Sequence, residues 1–263
     1  MHKRKFRLFR ANALFLRGHY REAFEEYFMG AVDEREPIAA FDLAFMYHQG
    51  FGVPRNYMMA HRYYIAASGL EGGEAQFNLA LMYLRGQGVT VDAGRAAEYM
   101  KTAAARECIN AQLYLAAAYT MGYMFDPVDI ECISLIPFYR VIERKRSELY
   151  LSGAGGGTRL EDSRYEMLEA DEQYAVEMLR AATKHKDTTY IDKQVGVAKM
   201  TLGQAYIEGF GDEYDPMKGY KLIEEAAIRH NSTEAAMYLL QNKDTAKVYG
   251  VNAQKVIYLL EEK

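Results

Sequence analysis

Residues 39–53, AAFDLAFMYHQGFGV, return 36 positions later as AQFNLALMYLRGQGV at residues 75–89. The two stretches share an alanine, a leucine, a tyrosine and a Gly-x-Gly-Val ending at the same offsets. A third copy begins at Ala111 and keeps this spacing as far as Gly122. Identities at one fixed step of this length indicate stacked repeats, in which each unit packs mainly against its neighbours.

Each copy predicts two helices. The first, which we call the A helix, carries its alanine, leucine and tyrosine on one face and ends at the Gly-x-Gly loop, where glycine accepts the left-handed conformation that caps a helix. The second, the B helix, follows a residue suited to an N-cap, namely Asn56, Asp92 or Asp215 in three of the copies. Small residues at fixed positions allow the two helices of a pair to approach closely.

The combined pattern is A-x3-L-[AG]-x2-Y-x2-G-x-G-V followed by [DN]-x3-A-x2-Y. It resembles the Sel-one-like repeat (SLR), a relative of the tetratricopeptide repeat. The resemblance is close over residues 39–122 and returns from Ala198 to Ala227. It implies an all-α fold, a right-handed α-α superhelical solenoid of antiparallel helix pairs.

We predict a single α-solenoid over residues 1–263, with one irregular stretch in the middle. The predicted units are an N-terminal degenerate helix pair (1–38), SLR units at 39–74, 75–110 and 111–136, a degenerate or inserted unit (137–188), an SLR unit (189–234), and a C-terminal partial repeat and cap (235–263). For the middle we favour a degenerate repeat over a plain insertion, with a shortened B helix at about 126–136 and a long B helix at about 160–184. In the C-terminal part, Asn252 is predicted to cap a closing helix.

Composition restricts the class of protein. A net charge of −4 and a pI of about 5.9 argue against a specific nucleic-acid binder. Two cysteines, Cys108 and Cys132, are too few for a disulfide framework, so we expect buried thiols, although one bridge between them stays open. No apolar run approaches the ~20 residues of a membrane span, and no cleavable leader follows the basic N-terminus. We therefore expect a cytoplasmic protein.

The first 21 residues carry seven basic residues and no acidic one. Such a segment, with Phe6 and Phe9 among the charges, could contact an anionic surface such as lipid, RNA or an acidic partner. The alternative, which we favour, is a solvated basic face on a first helix whose aromatic residues pack on the second.

Nothing in the sequence predicts catalysis. The glycine tract at residues 153–157 lacks the Lys-Ser/Thr ending and the preceding strand of a phosphate-binding loop. The six histidines form no ligand set with metal-binding spacing. We expect a protein that is not an enzyme and has no catalytic residue, cofactor or metal.

The A-helix face opposite the B helix is unusually apolar for a solvated surface. In tetratricopeptide-like arrays the A helices line the concave face, so this is the predicted protein-binding site. Its candidate residues are Phe41, Asp42, Phe45, His48, Phe77, Asn78, Leu81, Arg85 and Tyr114. Because neighbouring A helices also touch each other, we expect about half of the apolar positions on this face to be core between repeats.

The resemblance therefore implies a non-catalytic protein–protein interaction scaffold or adaptor that binds a protein or peptide on its concave face. One alternative is a dedicated inhibitor or immunity protein for a single partner. Another is an enzyme or small-molecule binder that uses the irregular segment 126–171. A structural role through self-association is a third, and either a monomer or a homodimer fits the sequence.

Overall fold

The structure, a computed structural model, describes residues 2–69, 73–121, 171–185 and 192–261. Every regular element in these ranges is helical, and the chain divides into two compact units, residues 1–108 and 109–263. The prediction of an all-α fold of repeated helix pairs is confirmed. The predicted number of units and their boundaries stay predictions.

Unit 1 consists of three successive helix pairs. Its helices are α1 (His2–Leu16), α2 (Tyr20–Val32), α3 (Pro37–Gln49), α4 (Tyr57–Ala67), α5 (Glu74–Arg85) and α6 (Ala93–Ala105). The odd-numbered helices are the A helices and the even-numbered ones are the B helices. Small buried residues such as Ala44 and Ala60, both fully inaccessible to solvent, let α3 and α4 approach closely.

Tyrosines fill the space between the helices of a pair. Tyr47 on α3 stacks on Tyr63 on α4 with ring centroids 5.8 Å apart, and Tyr83 on α5 stacks on Tyr99 on α6 at 5.7 Å. Offset aromatic pairs of this kind contribute roughly 0.5–1.5 kcal/mol beyond the burial of their area. The tyrosines of the repeated pattern therefore hold each A helix to its B helix.

Unit 2 contains the remaining helices. They are α7 (Ile109–Met121), α8 (Glu172–Thr183), α9 (Asp192–Glu208), α10 (Pro216–Arg229), α11 (Thr233–Gln241), α12 (Lys243–Val248) and α13 (Ala253–Glu261). One core cluster joins α10 to the C-terminal helices through Ile223, Leu239 and Val256. In the described ranges Cys108 is buried, as expected for a thiol in the core, whereas Cys132 lies outside them.

The Gly-x-Gly loops have the same geometry in both units. The first glycine, Gly50 or Gly86, takes a left-handed conformation and ends the A helix. The second also has a positive φ, and its missing side chain leaves room for the preceding B helix. A Cβ on Gly88 would lie 2.5 Å from the carbonyl carbon of Tyr57, the first residue of α4. These glycines therefore serve both the turn and the contact between successive repeats.

The N-caps follow the prediction. The side chains of Asn56, Asp92, Asp215 and Asn252 each accept a hydrogen bond from the backbone N–H three residues later, at 2.9–3.1 Å. In three of these loops the backbone N–H of the cap also donates to the carbonyl of the signature tyrosine of the A helix. The first helix pair is present as well, with its B helix at Tyr20–Val32.

The middle of the chain is organised differently from the predicted units. The backbone N–H of Asp171 donates to the carbonyl of Tyr119, which is the A-to-B loop contact of the other repeats, and α8 packs against α7. Asp171 also caps α8, which begins at Glu172 rather than near residue 160. The structure thus makes residues 172–183 the B helix of α7, whereas we had assigned them to a later unit. The division predicted at residues 136 and 137 lies outside the described residues.

Candidate protein-binding surface

The two A helices α3 and α5 contribute to one core cluster of unit 1. Ala40 and Ala44 of α3 belong to it with Leu79 and Met82 of α5. The residues of interest occupy equivalent positions of the repeat on the two helices. We call this set the A-helix face of unit 1 and define it by residues Ile38, Phe41, Asp42, Phe45, Phe77, Asn78, Leu81 and Arg85.

Aromatic side chains of α3 are partly exposed on this face. Phe45 is 37% exposed and lies near the rings of Phe15 and Phe51, with centroids 6.4 and 5.9 Å away. Phe41 is half-buried and meets the ring of Tyr64 edge-on at 5.6 Å. Both side chains contribute to the packing of the repeat and still present part of their surface to solvent.

The equivalent residues of α5 are also half-buried. They are Phe77, Asn78, Leu81 and Arg85. The amide of Asn78 donates to the carbonyl of Glu74, one turn earlier in the same helix, at 2.9 Å. The α5 part of the face is therefore apolar with a polar edge.

Two of the predicted site residues are buried instead. His48 accepts or donates a hydrogen bond with Gln87 at 3.0 Å, and its ring meets Tyr64 and Tyr57 edge-on. Burial is the main cause that lowers the pKa of His48. Tyr114, in unit 2, is only 1% exposed. Neither side chain offers surface to a partner in this structure, so we leave both out of the A-helix face.

His48 is buried because of its position on α3. It lies one turn beyond Ala44, the fully buried alanine that faces α4. The small alanine lets α4 come close, and Tyr57 and Tyr64 then cover the imidazole. Counting positions around an isolated helix does not show how far a neighbouring helix reaches over its edge.

Asp42 is the acidic residue on the A-helix face and differs from the other carboxylates of unit 1. It is half-buried, and burial raises its pKa to about 7. It makes no hydrogen bond or ion pair with any residue that the structure describes. Its charge contributes to raising the pKa of Tyr27 and Tyr64, which are buried on the adjacent helices α2 and α4.

These two tyrosines occupy equivalent positions, four residues after the buried alanines Ala23 and Ala60. The Tyr27 hydroxyl donates to the side-chain oxygen of Asn12 at 2.6 Å. The Tyr64 hydroxyl is buried without a hydrogen-bond partner. One repeat therefore satisfies its buried hydroxyl and the next does not.

The basic N-terminal segment is partly neutralised within unit 1. Arg7 pairs with Glu26 and Glu34, and Arg10 pairs with Glu26, at 3.1–3.8 Å. These contacts support the favoured interpretation of a basic face on the first helix. Phe9, however, is 73% exposed, so this aromatic residue does not pack on α2 as expected.

The sequence analysis missed a buried polar network in unit 2. Nζ of Lys199, on α9, lies 3.0 Å from Nε2 of His230 and 3.2 Å from a carboxylate oxygen of Glu225. Nδ1 of His230 is 2.7 Å from Asp192. A signal was available, because the position after the first alanine of the repeat is polar and buried in three A helices, as Gln76, Gln112 and Lys199.

Each of these three buried polar residues bonds near the C-terminal end of a B helix. Gln76 donates to the carbonyl of Ser68, Gln112 bonds to His185, and Lys199 bonds to His230. The network therefore ties helix ends together. The described part of the chain contains no group of three His, Cys, Asp or Glu residues placed to hold a metal ion.

A family model described as Sel1 repeat matches residues 37–70, 73–108 and 198–231. The chain contains three Sel1 repeats. Proteins with this repeat are in general protein-interaction scaffolds with a typically non-catalytic fold. No curated protein matches this Sel1-repeat chain.

One solved structure supports the same fold. A Sel1 repeat protein from Oxalobacter formigenes is similar over 84% of this chain and 49% of its own length, with 21% identity and a TM-score of 0.59. A second match is c5321, a protective antigen present in uropathogenic Escherichia coli strains displaying an SLR fold. It has 18% identity, a TM-score of 0.39 and coverages of 92% and 55%. The Sel1-repeat chain thus spans about half the length of both proteins.

In the described ranges, no helix combines the length and the hydropathy that crossing a bilayer requires.

Proposed function

We propose that this Sel1-repeat protein is a non-catalytic interaction protein that binds a segment of a partner protein on the A-helix face of unit 1. The observation that carries the proposal is the set of partly exposed apolar residues at equivalent positions of α3 and α5. Ile38 and Phe45 are 43% and 37% exposed, and Phe41, Phe77 and Leu81 are half-buried beside them.

A contiguous apolar surface with polar edges fits a peptide helix or a protein loop. Binding would remove the remaining exposed area of these side chains from water without requiring them to leave their packed positions. Aromatic residues in such a surface tend to carry a large share of the binding energy. The proposal therefore places the strongest contacts at Phe41 and Phe45.

The test is affinity capture from a lysate of the native host with the full chain as bait. Ile38→Asp and Phe45→Asp place a charge on the A-helix face. Met58→Asp is the matched control, because Met58 is a 70% exposed apolar residue of the B helix α4. Circular dichroism first establishes that all three variants are folded.

We expect a partner that is captured by the wild type and by Met58→Asp and is lost with both variants of the A-helix face. A partner that all three variants retain would contradict the proposal. The stoichiometry then separates the two predicted roles, since one partner bound one-to-one favours a dedicated inhibitor and several partners favour an adaptor. Light scattering at two concentrations detects self-association. The predicted alternative of an enzyme that uses residues 126–171 falls almost wholly outside the described residues.

A further inference from the structure

We propose that the A-helix face of unit 1 recognises a partner segment through a lysine or arginine side chain that pairs with the carboxylate of Asp42. This inference rests on the proposed function, because it names the chemistry of the partner that the same face would bind. The expected ligand is a peptide segment with a cationic side chain between apolar residues.

The first argument is that the half-buried carboxylate of Asp42 lacks the partners that other carboxylates of unit 1, such as Glu26 and Asp92, have. Glu26 pairs with Arg7 and Arg10, and Asp92 pairs with Arg95 and caps its helix. Asp42 has neither an ion pair nor a hydrogen bond with the described residues. Burial raises its pKa, and none of the described residues supplies a cation that would lower it.

The second argument comes from the residues around Asp42. Ile38 and Phe45 lie one turn before and one turn after it on the same face of α3, and both are exposed. A partner that covers these two apolar side chains must also cover the carboxylate between them. Covering a carboxylate with an apolar or anionic group is costly, because the charge loses its water without gaining a partner.

A cationic side chain avoids this cost. An ammonium or guanidinium group forms a charge-assisted hydrogen bond with the carboxylate. Its alkyl stem can lie along the apolar surface, and its charge is attracted to the faces of aromatic rings such as Phe41 and Phe45. Asp42 therefore selects the charge of the partner, while its neighbours supply most of the contact area.

The third argument is that, of the three equivalent positions in the 36-residue repeat, Asp42 alone is acidic. The residues 36 and 72 positions later, which are equivalent in the sequence repeat, are Asn78 on α5 and, in unit 2, Tyr114. The amide of Asn78 is already bonded to its own helix, and Tyr114 is buried. A single fixed cation in the partner is therefore expected, and a run of basic residues is not.

Binding of this kind is linked to protonation. Because the pKa of Asp42 is about 7, the free protein carries a mixture of neutral and ionised carboxyl groups near neutral pH. Among the described residues, the titratable groups coupled to Asp42 are Tyr27 from α2 and Tyr64 from α4, and burial raises the pKa of both, so they stay neutral. If only the ionised form pairs with the cation, affinity should fall roughly tenfold between about pH 8 and about pH 6.

The experiment uses a displayed library of random peptides that is selected against the full chain at about pH 8. Peptides that bind the A-helix face are identified as those that bind Met58→Asp and fail to bind Phe45→Asp. We expect these peptides to share one lysine or arginine at a fixed position among apolar residues. Asp42→Asn should weaken their binding at least tenfold and remove its dependence on pH.

A matched peptide with methionine in place of the fixed cation supplies the second measurement. It should bind Asp42→Asn at least as tightly as the wild type, because the pair is already broken on the peptide side and the variant no longer has an unpaired carboxylate to cover. The inference would be overturned, and the proposed function left intact, by either of two results. The peptides that bind the A-helix face could share no cationic residue, or they could bind Asp42→Asn as tightly as the wild type. If the selection yields no peptide that binds the A-helix face, the proposed function and the inference are both contradicted.

Discussion

The two equivalent tyrosines of unit 1 should respond in opposite directions to loss of their hydroxyl groups. Tyr27 and Tyr64 are 4% and 0% exposed, so the substitution of either by phenylalanine leaves a buried ring in place. The Tyr27 hydroxyl has a hydrogen bond to Asn12, whereas the Tyr64 hydroxyl has no partner. The comparison therefore isolates the effect of hydrogen bonding on a buried polar group within one fold.

The expected magnitudes follow from these contacts. Tyr27→Phe removes one hydrogen bond and leaves the exposed Asn12 to water, which should cost about 1 kcal/mol of the free energy of unfolding. Tyr64→Phe removes a buried hydroxyl without a partner, which relieves a cost of about 1–3 kcal/mol. The van der Waals contacts of the lost oxygen atom offset part of this gain. The ring contacts with Phe41 and His48 remain. We expect a gain of about 1 kcal/mol.

Urea denaturation followed by far-ultraviolet circular dichroism measures both changes. With a denaturant slope of roughly 3 kcal/mol per molar, the two midpoints should move about 0.3 M in opposite directions. Both residues lie in unit 1, so the same part of the unfolding transition reports on them. If Tyr64→Phe destabilises the protein as much as Tyr27→Phe does, the hydroxyl has a partner in solution and the reasoning is refuted.

Two further predictions concern unit 1. Gly88→Ala should lower the free energy of unfolding by roughly 2–4 kcal/mol, because φ is +73° and the new Cβ would lie 2.5 Å from the backbone of Tyr57. Gly18→Ala is the control, because Gly18 also has a positive φ (+80°) but no heavy atom lies within 4 Å of an added Cβ. It should cost only about 1 kcal/mol. If urea denaturation gives equal losses for the two variants, the close contact at Gly88 is excluded. Burial raises the pKa of Asp42 from its ordinary value of 3.8 to about 7, so the folded state retains a proton that the unfolded state has lost. Stability should therefore fall by about 2 kcal/mol as the pH rises from about 5 to about 8. Asp42→Asn should flatten this slope, and an unchanged slope would show that another group causes it.

The sequence by itself determined the local structure of this protein. The 36-residue step located the helix pairs, and their N-caps at Asn56, Asp92 and Asp215 lie where the pattern placed them. These features depend on a few neighbouring residues: a polar side chain bonds to the backbone N–H three residues later, and glycine accepts a positive φ. Such requirements are written into short stretches and repeat with them.

Only the tertiary structure decided which helices pair and which side chains remain accessible. It joined α7 to residues 172–183 across a long intervening segment, and it covered His48 with tyrosines of the neighbouring helix. Burial depends on how closely a distant helix approaches, and periodicity along one helix carries no information about that distance.

The same distinction applies to Asp42. Its place on the A-helix face follows from the register, whereas its missing partner and raised pKa follow from the tertiary packing of unit 1. In the sequence it is one of 36 acidic residues with nothing to distinguish it. The packed helices remove much of its water, and the described residues supply no cation in return.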